Sequence, residues 1–232
     1  MIPKAVVAGL VQGQIVSTGA VNMLLQGGQP VTKDMINRIW SDVVKEYPYQ
    51  SLQFDPSGRG GAFIGEGGPE DAVIIQPPLV QIRSLVDSDP RGVRGVADKV
   101  AAIFKMALHH LGGPPPLNLG VKVVYHVPAP GHTAVDFLHT ELVKGDEDLR
   151  ALAGAMSYEA SLKVVLSGAD KAYVLLIEPL RSDLSHLFVD IDAQFPGVVD
   201  VDKIGERIAS VNEFVVKQVG NFLERRAKEW GQ

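Results

Sequence analysis

Hydrophobic and polar positions along the chain predict two consecutive sets of elements in the same order. In the first set, residues 4–16 are rich in Val, Ile, Leu and Gly and indicate a buried strand. Thr32 is a candidate N-cap for an amphipathic helix that ends before Pro48. Strands are predicted at 51–54, 62–64 and 72–85, and a helix with an unbroken apolar stripe follows from Asp89-Pro90 to Leu111.

Turn residues refine the strands of this first set. Pro77-Pro78 interrupts the third strand, so we expect it to lie at a sheet edge, to be bulged or to be split. The glycine-rich segments 58–61 and 65–68 lie between strands. A phosphate-binding loop needs a helix start after its strand, so these segments predict β-turns that use positive φ.

The second set repeats the order. It comprises a strand at 119–127, a short helix at 133–143, strands at 162–166, 172–178 and 187–191, and a long helix from about Asp200. We therefore predict an α+β protein with one or more antiparallel sheets and long helices on one face. A tandem duplication of a strand-helix-three strands-helix unit is the favoured interpretation, with halves at 1–111 and 119–232 and a Pro-rich linker at 112–118. The two halves can together form one pseudo-symmetric domain. The alternative is a single continuous sheet whose element order repeats by coincidence.

Composition narrows the function classes. The 232 residues carry a net charge of −5 with no dense basic patch, which disfavours a nucleic-acid partner. The absence of cysteine excludes thiol nucleophiles, disulfides and thiolate metal sites. No apolar run approaches the roughly 20 residues that span a bilayer, and the N-terminus has no signal-peptide pattern. We expect a cytoplasmic protein with no membrane partner.

Two resemblances accompany this pattern. The element order resembles half-units of the saddle-shaped TATA-binding-protein-like and helix-grip folds, which implies a curved antiparallel sheet that cradles a long helix. The segments His186-Leu-Phe-Val-Asp190-Ile-Asp192 and Val211-Asn-Glu-Phe214, with Trp230, also resemble a sporadically distributed bacterial family of uncharacterised function, mainly over residues 160–230. The apolar-Pro-Pro strand that opens that family is not evident here. Neither resemblance implies a catalytic residue.

His132, Asp136 and His139 form the first candidate site. They stand at i, i+4 and i+7, so a helix would place them on one face. Such a set can bind zinc or iron, or pair a base with an orienting acid, although the spacing differs from the HExxH pattern. The alternative is the polar face of an amphipathic helix.

Asp190 and Asp192 form the second candidate site. They lie on one side of a predicted strand, together with His186 and Phe188. Paired carboxylates can hold Mg²⁺ or Ca²⁺, or act as acid and base. The alternatives are the solvent face of a strand whose other side enters the core, or a cap for the following turn.

The sequence favours a non-catalytic module that binds a ligand or a protein, or that takes part in an assembly. We expect a protein partner or self-association, with a small-molecule ligand as a second option, and no cofactor. The alternative is a metal-dependent or acid/base enzyme that uses the His132/Asp136/His139 face or the Asp190/Asp192 pair.

Overall fold

The computed structural model describes residues 10–16, 31–76, 79–85, 90–112, 116, 118–130, 133–142 and 159–230. Within these ranges, nine strands form one antiparallel sheet in the order β2-β3-β4-β5-β1-β6-β9-β8-β7. The strands are β1 (Leu10–Val16), β2 (Ser51–Phe54), β3 (Gly61–Gly65), β4 (Gly68–Gln76), β5 (Leu79–Leu85), β6 (Asn118–Pro128), β7 (Leu162–Ser167), β8 (Ala172–Pro179) and β9 (His186–Pro196).

Helices follow the strands in both parts of the chain. The described α-helices are α1 (Lys33–Glu46), α2 (Val93–Leu111), α3 (Ala134–Phe137), α4 (Ile204–Phe214) and α5 (Gly220–Trp230). A π-helical turn, Leu138–Leu142, continues α3, and a second one, Val215–Val219, joins α4 to α5. A 3₁₀ turn, Val201–Lys203, precedes α4. None of these helices combines the length and the apolar character that a membrane-crossing helix needs.

The helices pack on one face of the sheet, because every second strand residue is apolar. In β9, Leu187, Val189, Ile191 and Ala193 are fully buried. The same alternation in β3 buries Phe63, whose ring lies 5.2 Å from that of Trp40 in α1. Residues from both parts of the chain contribute to one hydrophobic cluster between the sheet and the helices. The opposite face, where His186, Phe188, Asp190 and Asp192 lie, is called the open face, because no described helix packs on it.

Two strand predictions need correction. The predicted strand at 72–85 is split into β4 and β5, which pair as an antiparallel hairpin. Splitting was one of the expected outcomes, but an edge position is wrong, because β3 and β1 pair with the outer sides of this hairpin. The first part of the chain therefore has four strands after α1 instead of three.

Glycines with positive φ explain why α2 starts later than predicted, and they confirm the predicted turns between strands. The predicted helix start at Asp89-Pro90 is wrong, since α2 begins at Val93 after Gly92, whose φ of 59° favours glycine. Asp89 itself lies outside the described residues. Gly58, in the turn between β2 and β3, has a φ of 69°, and Gly68, the first residue of β4 after the turn at 66–67, has a φ of 64°, so both segments use positive φ as predicted.

The predicted fold class is confirmed: the protein is α+β, with an antiparallel sheet and its described helices on one face. The sheet consists of two four-stranded wings, β2–β5 and β6–β9, joined by β1, which pairs with both β5 and β6. Helices α2 and α4 also contact each other across this junction. A duplication as the origin of the two wings stays a prediction.

Candidate functional site

Strands β6 and β9 place most of the polar side chains at the centre of the open face. Their antiparallel register sets Lys122 opposite Asp192, Val124 opposite Asp190, and His126 opposite Phe188. The His126 and Phe188 rings are 6.1 Å apart in a tilted arrangement. Gly120 lies opposite Gln194 and leaves the face flat at that point. This ladder combines two carboxylates, one ammonium group and an aromatic pair within four residue steps.

Lys122 and Asp190 form a diagonal ion pair across the ladder. The distance between Lys122 Nζ and Asp190 Oδ2 is 2.7 Å. The Lys122 side chain is 39% exposed and the Asp190 side chain only 15%. Long side chains reach diagonal neighbours in an antiparallel pair, which explains why Lys122 contacts Asp190 as well as lying opposite Asp192. Lys122 therefore neutralises the charge of a largely buried carboxylate, and both residues of the pair lie on the open face.

The second carboxylate oxygen of Asp190 is not satisfied. Asp190 Oδ1 is buried and has no hydrogen-bond partner among the described residues. A buried polar atom without a partner costs on the order of 1–3 kcal/mol, so native proteins rarely leave one. A donor group on a bound molecule, or an ordered water, would remove this cost.

Asp192 has a different environment. Its Oδ1 accepts a hydrogen bond of 2.6 Å from Gln194 Nε2. Gln194 Oε1 in turn accepts one of 2.8 Å from Asn118 Nδ2. No described cation pairs with Asp192. Its charge is held in place by amides and stays available to a cationic group.

Arg83 in β5 supplies the opposite charge on the other wing. Through β1, its position aligns with Lys122 and Asp192. Its guanidinium donates to Gln81 Oε1 at 3.1 and 3.0 Å and to the Pro69 carbonyl at 3.3 Å. No described carboxylate pairs with it. Among the described residues, the wings thus carry a cation without a carboxylate partner on one side, Arg83, and a carboxylate without a cation partner on the other, Asp192.

Apolar positions flank this polar centre on both wings. The transverse set of aligned open-face residues is called the central row, and its members with described side chains are Ile64, Ala72, Arg83, Lys122, Asp192, Val174 and Val165. Val165, at the β7 end, is 61% exposed. The open face therefore carries apolar side chains on both sides of its polar centre.

The predicted His132/Asp136/His139 face is only partly described. His132 lies outside the described residues. Thr133 is the N-cap of α3, since its Oγ1 accepts from the Asp136 amide at 3.0 Å and donates to Asp136 Oδ2 at 2.7 Å. The Thr133 hydroxyl thus bonds both the backbone and the side chain of Asp136 at the start of the helix. Asp136 therefore has a local structural role, while His139 is half-buried in the π turn after α3.

Metal coordination finds little support in the described residues. Within them, no group of three or more His, Cys, Asp or Glu side chains could hold a metal ion. Asp190 and Asp192 do lie on one side of β9, as predicted, with the buried residues Leu187, Val189 and Ile191 on the other. The Lys122 ammonium already pairs with Oδ2 of Asp190, which leaves Oδ1 as the unpaired oxygen of this carboxylate.

Sequence reasoning missed a second polar cluster, on the helix-covered face. Lys99 Nζ in α2 lies 2.9 Å from Asp71 Oδ1 and 3.2 Å from Ser84 Oγ, and 4.9 Å from the centre of the Tyr49 ring. Lys99 and Asp71 are each 14% exposed, and Ser84 is 1% exposed. Burial raises the pKa of the Tyr49 hydroxyl.

Geometry indicates that this Lys99 cluster is structural. The ammonium already has a carboxylate, a hydroxyl and an aromatic face as partners. Ser84 is shielded from solvent, so its hydroxyl is not an accessible nucleophile. Gly65 provides the space for the carboxylate, because a Cβ at this position would overlap Asp71 Oδ2. No signal in the sequence identifies the cluster, since its members come from α2, β4, β5 and the segment between α1 and β2.

Comparisons of the chain with family models, with curated proteins and with solved structures give no match.

Proposed function

We propose that the protein is a binding module that contacts its partner through the open face of the sheet. The observation that carries this proposal is the unsatisfied polar chemistry at the centre of that face. Asp190 Oδ1 is buried without a hydrogen-bond partner, and Arg83 and Asp192 have no described partner of opposite charge. A partner that supplies donors to the carboxylates and an acceptor to Arg83 would complete all three.

The surroundings of these groups support a macromolecular partner over a small molecule. The polar centre spans several strands, and neighbouring strands lie about 4.8 Å apart. Small-molecule sites are usually concave and enclosed. A cavity of about 250 Å³ lies away from the polar centre, at the β2–β4 end of the sheet, beside Phe54 and Gln76. The open face extends over nine strands and includes the exposed side chain of Val165, and this extent favours a protein surface as the partner.

Native mass spectrometry of the purified protein tests this proposal. We expect the wild-type chain to carry an additional component, whether a second copy, another protein or a bound molecule. Val174→Glu would place a third carboxylate next to Asp192, its cross-strand neighbour, and should remove that component. Arg38→Glu is the matched control, because Arg38 is exposed on α1, on the opposite side of the sheet. A wild-type spectrum that holds only the bare chain, or equal losses in both variants, would contradict the proposal.

A further inference from the structure

We infer that the partner on the open face is a second copy of this chain, packed face to face about a twofold axis parallel to the strands. This inference rests on the proposed function and specifies its partner. It follows from the placement of Arg83 and Asp192, from the area of the face and from the apolar flanks.

Charge complementarity carries the inference. Arg83 and Asp192 lie in the central row on β5 and β9, the strands immediately outside the central β1–β6 pair. Their Cα atoms are three strand spacings apart, about 14 Å, and each is about 7 Å from the line between β1 and β6. A twofold axis along that line would place the Arg83 of one copy above the Asp192 of the other, twice in each dimer.

The alternative in-plane axis, perpendicular to the strands, gives the opposite result. This axis would place the β2–β5 wing of one copy on the β2–β5 wing of the other, and the β6–β9 wing on the β6–β9 wing. Arg83 would then face the wing that carries the other Arg83, and the carboxylates of Asp190 and Asp192 would face each other. Like charges brought together in an interface repel each other and weaken binding, so charge selects the axis parallel to the strands.

Distances are compatible with this packing. Face-to-face sheets lie about 10 Å apart, and the side chains of an arginine and an aspartate together span such a gap. Packed sheets also rotate by about 30° relative to each other. At 7 Å from the axis this rotation displaces a residue by only about 4 Å, which another rotamer of Arg83 can absorb when its hydrogen bonds to Gln81 and Pro69 give way.

The size of the face fits a stable dimer. Nine strands at about 4.8 Å spacing give a width of roughly 40 Å, and the side chains along each strand cover roughly 20 Å. The resulting area of about 800 Å² per copy equals that of a standard protein–protein interface. At the ends of the central row, Ile64 would lie opposite Val165 across the axis, and Val174 would lie opposite Ala72, which is only 1% exposed and adds little contact area.

Charge reversal tests the inference with the purified full chain. Sedimentation velocity should show a dimer for the wild type. Arg83→Glu alone and Asp192→Arg alone should each raise the dimer dissociation constant by about 100-fold, because each creates two repulsive contacts in every dimer. The double variant, Arg83→Glu with Asp192→Arg, should restore the dimer, because it exchanges the two charges without removing the pair. Arg38→Glu should leave the constant unchanged.

Neutral substitutions at the same positions serve as a second test in case the charge-reversed variants do not fold. Arg83→Gln and Asp192→Asn should each weaken the dimer by about tenfold, in proportion to two lost ion pairs. A wild-type chain that is monomeric over a wide concentration range would overturn the inference, as would a dimer that both single reversals leave intact or a double variant that stays monomeric. A monomer that still carries another component in native mass spectrometry would overturn self-association alone and leave the proposed function standing.

Discussion

Asp190 and Asp192 lie two residues apart on the same face of β9, yet their surroundings differ. Asp190 is ion-paired with Lys122 and mostly buried, whereas Asp192 is held by the Gln194 amide. The alternation of apolar and polar residues predicts correctly that both lie on one side of the strand. It gives no information on their partners, because Lys122 is about 70 positions away in the chain and meets them only through the register of β6 and β9. The sequence did not identify Arg83 as a site residue either, because it aligns with Lys122 and Asp192 only through the register of the strands.

The Lys99–Asp71 pair should contribute to stability in a way that the open-face charges do not. Asp71→Ala leaves the Lys99 ammonium buried without a counter-charge, and we expect the free energy of unfolding to fall by about 3–5 kcal/mol. The double variant Asp71→Leu with Lys99→Met should recover most of that loss, because it removes both charges together. Urea denaturation measures both. The exposed Asp34–Arg38 pair is the control, and Arg38→Ala should cost less than about 1 kcal/mol.

Gly65 provides a second test of the same cluster. A methyl group at this position would overlap the Asp71 carboxylate, so Gly65→Ala should destabilise the protein by about 1–3 kcal/mol. In an Asp71→Ala background the same substitution should cost much less, because the overlapping atoms are gone. A double-mutant cycle from urea denaturation gives the coupling energy. Equal costs in the two backgrounds would show that Gly65 serves another purpose.

Helices α1 and α2 illustrate what the sequence predicts at the level of elements. Their apolar spacing identifies both, and Thr32 is the N-cap of α1 as expected, accepting from the Met35 amide. The hairpin β4–β5 was harder to predict, because the residues on both sides of Pro77-Pro78 alternate as one strand would. The contact between α1 and α2 through His110 Nε2 and Asp42 Oδ2, at 2.7 Å, has no sequence signal.

This contact should affect acid stability. Hydrogen bonds from Lys45 and His110 lower the pKa of Asp42 in the folded protein. The pair therefore stabilises the fold above the unfolded pKa of about 3.9, and this contribution is lost as the pH falls through the folded pKa. Asp42→Asn should reduce the acid-induced loss of stability in a series of urea titrations below pH 5. An unchanged pH profile in Asp42→Asn would show that the interaction is too exposed to matter.

At the scale of the whole molecule, the wings β2–β5 and β6–β9 share one core and one open face. The sequence predicts the layering, because apolar residues alternate in the strands and form stripes in the helices. It does not predict the central row, since that row exists only once β1 joins the two wings. The separation of Arg83 and Asp192 onto opposite wings is likewise a property of the assembled sheet.

Site-specific photo-cross-linking tests the central claim, that the open face is the binding surface, most directly. Val165 and Leu166 are neighbours in β7, with exposures of 61% and 41%, but they point to opposite faces of the sheet. A photoreactive amino acid is placed at each position in turn, and adducts are measured in the producing cells. The account predicts a discrete adduct from position 165 and little or none from position 166. If the partner is a second copy, purified protein at its cellular concentration should give the same adduct from position 165. Equal adduct yields from the two positions, or a higher yield from position 166, would contradict it.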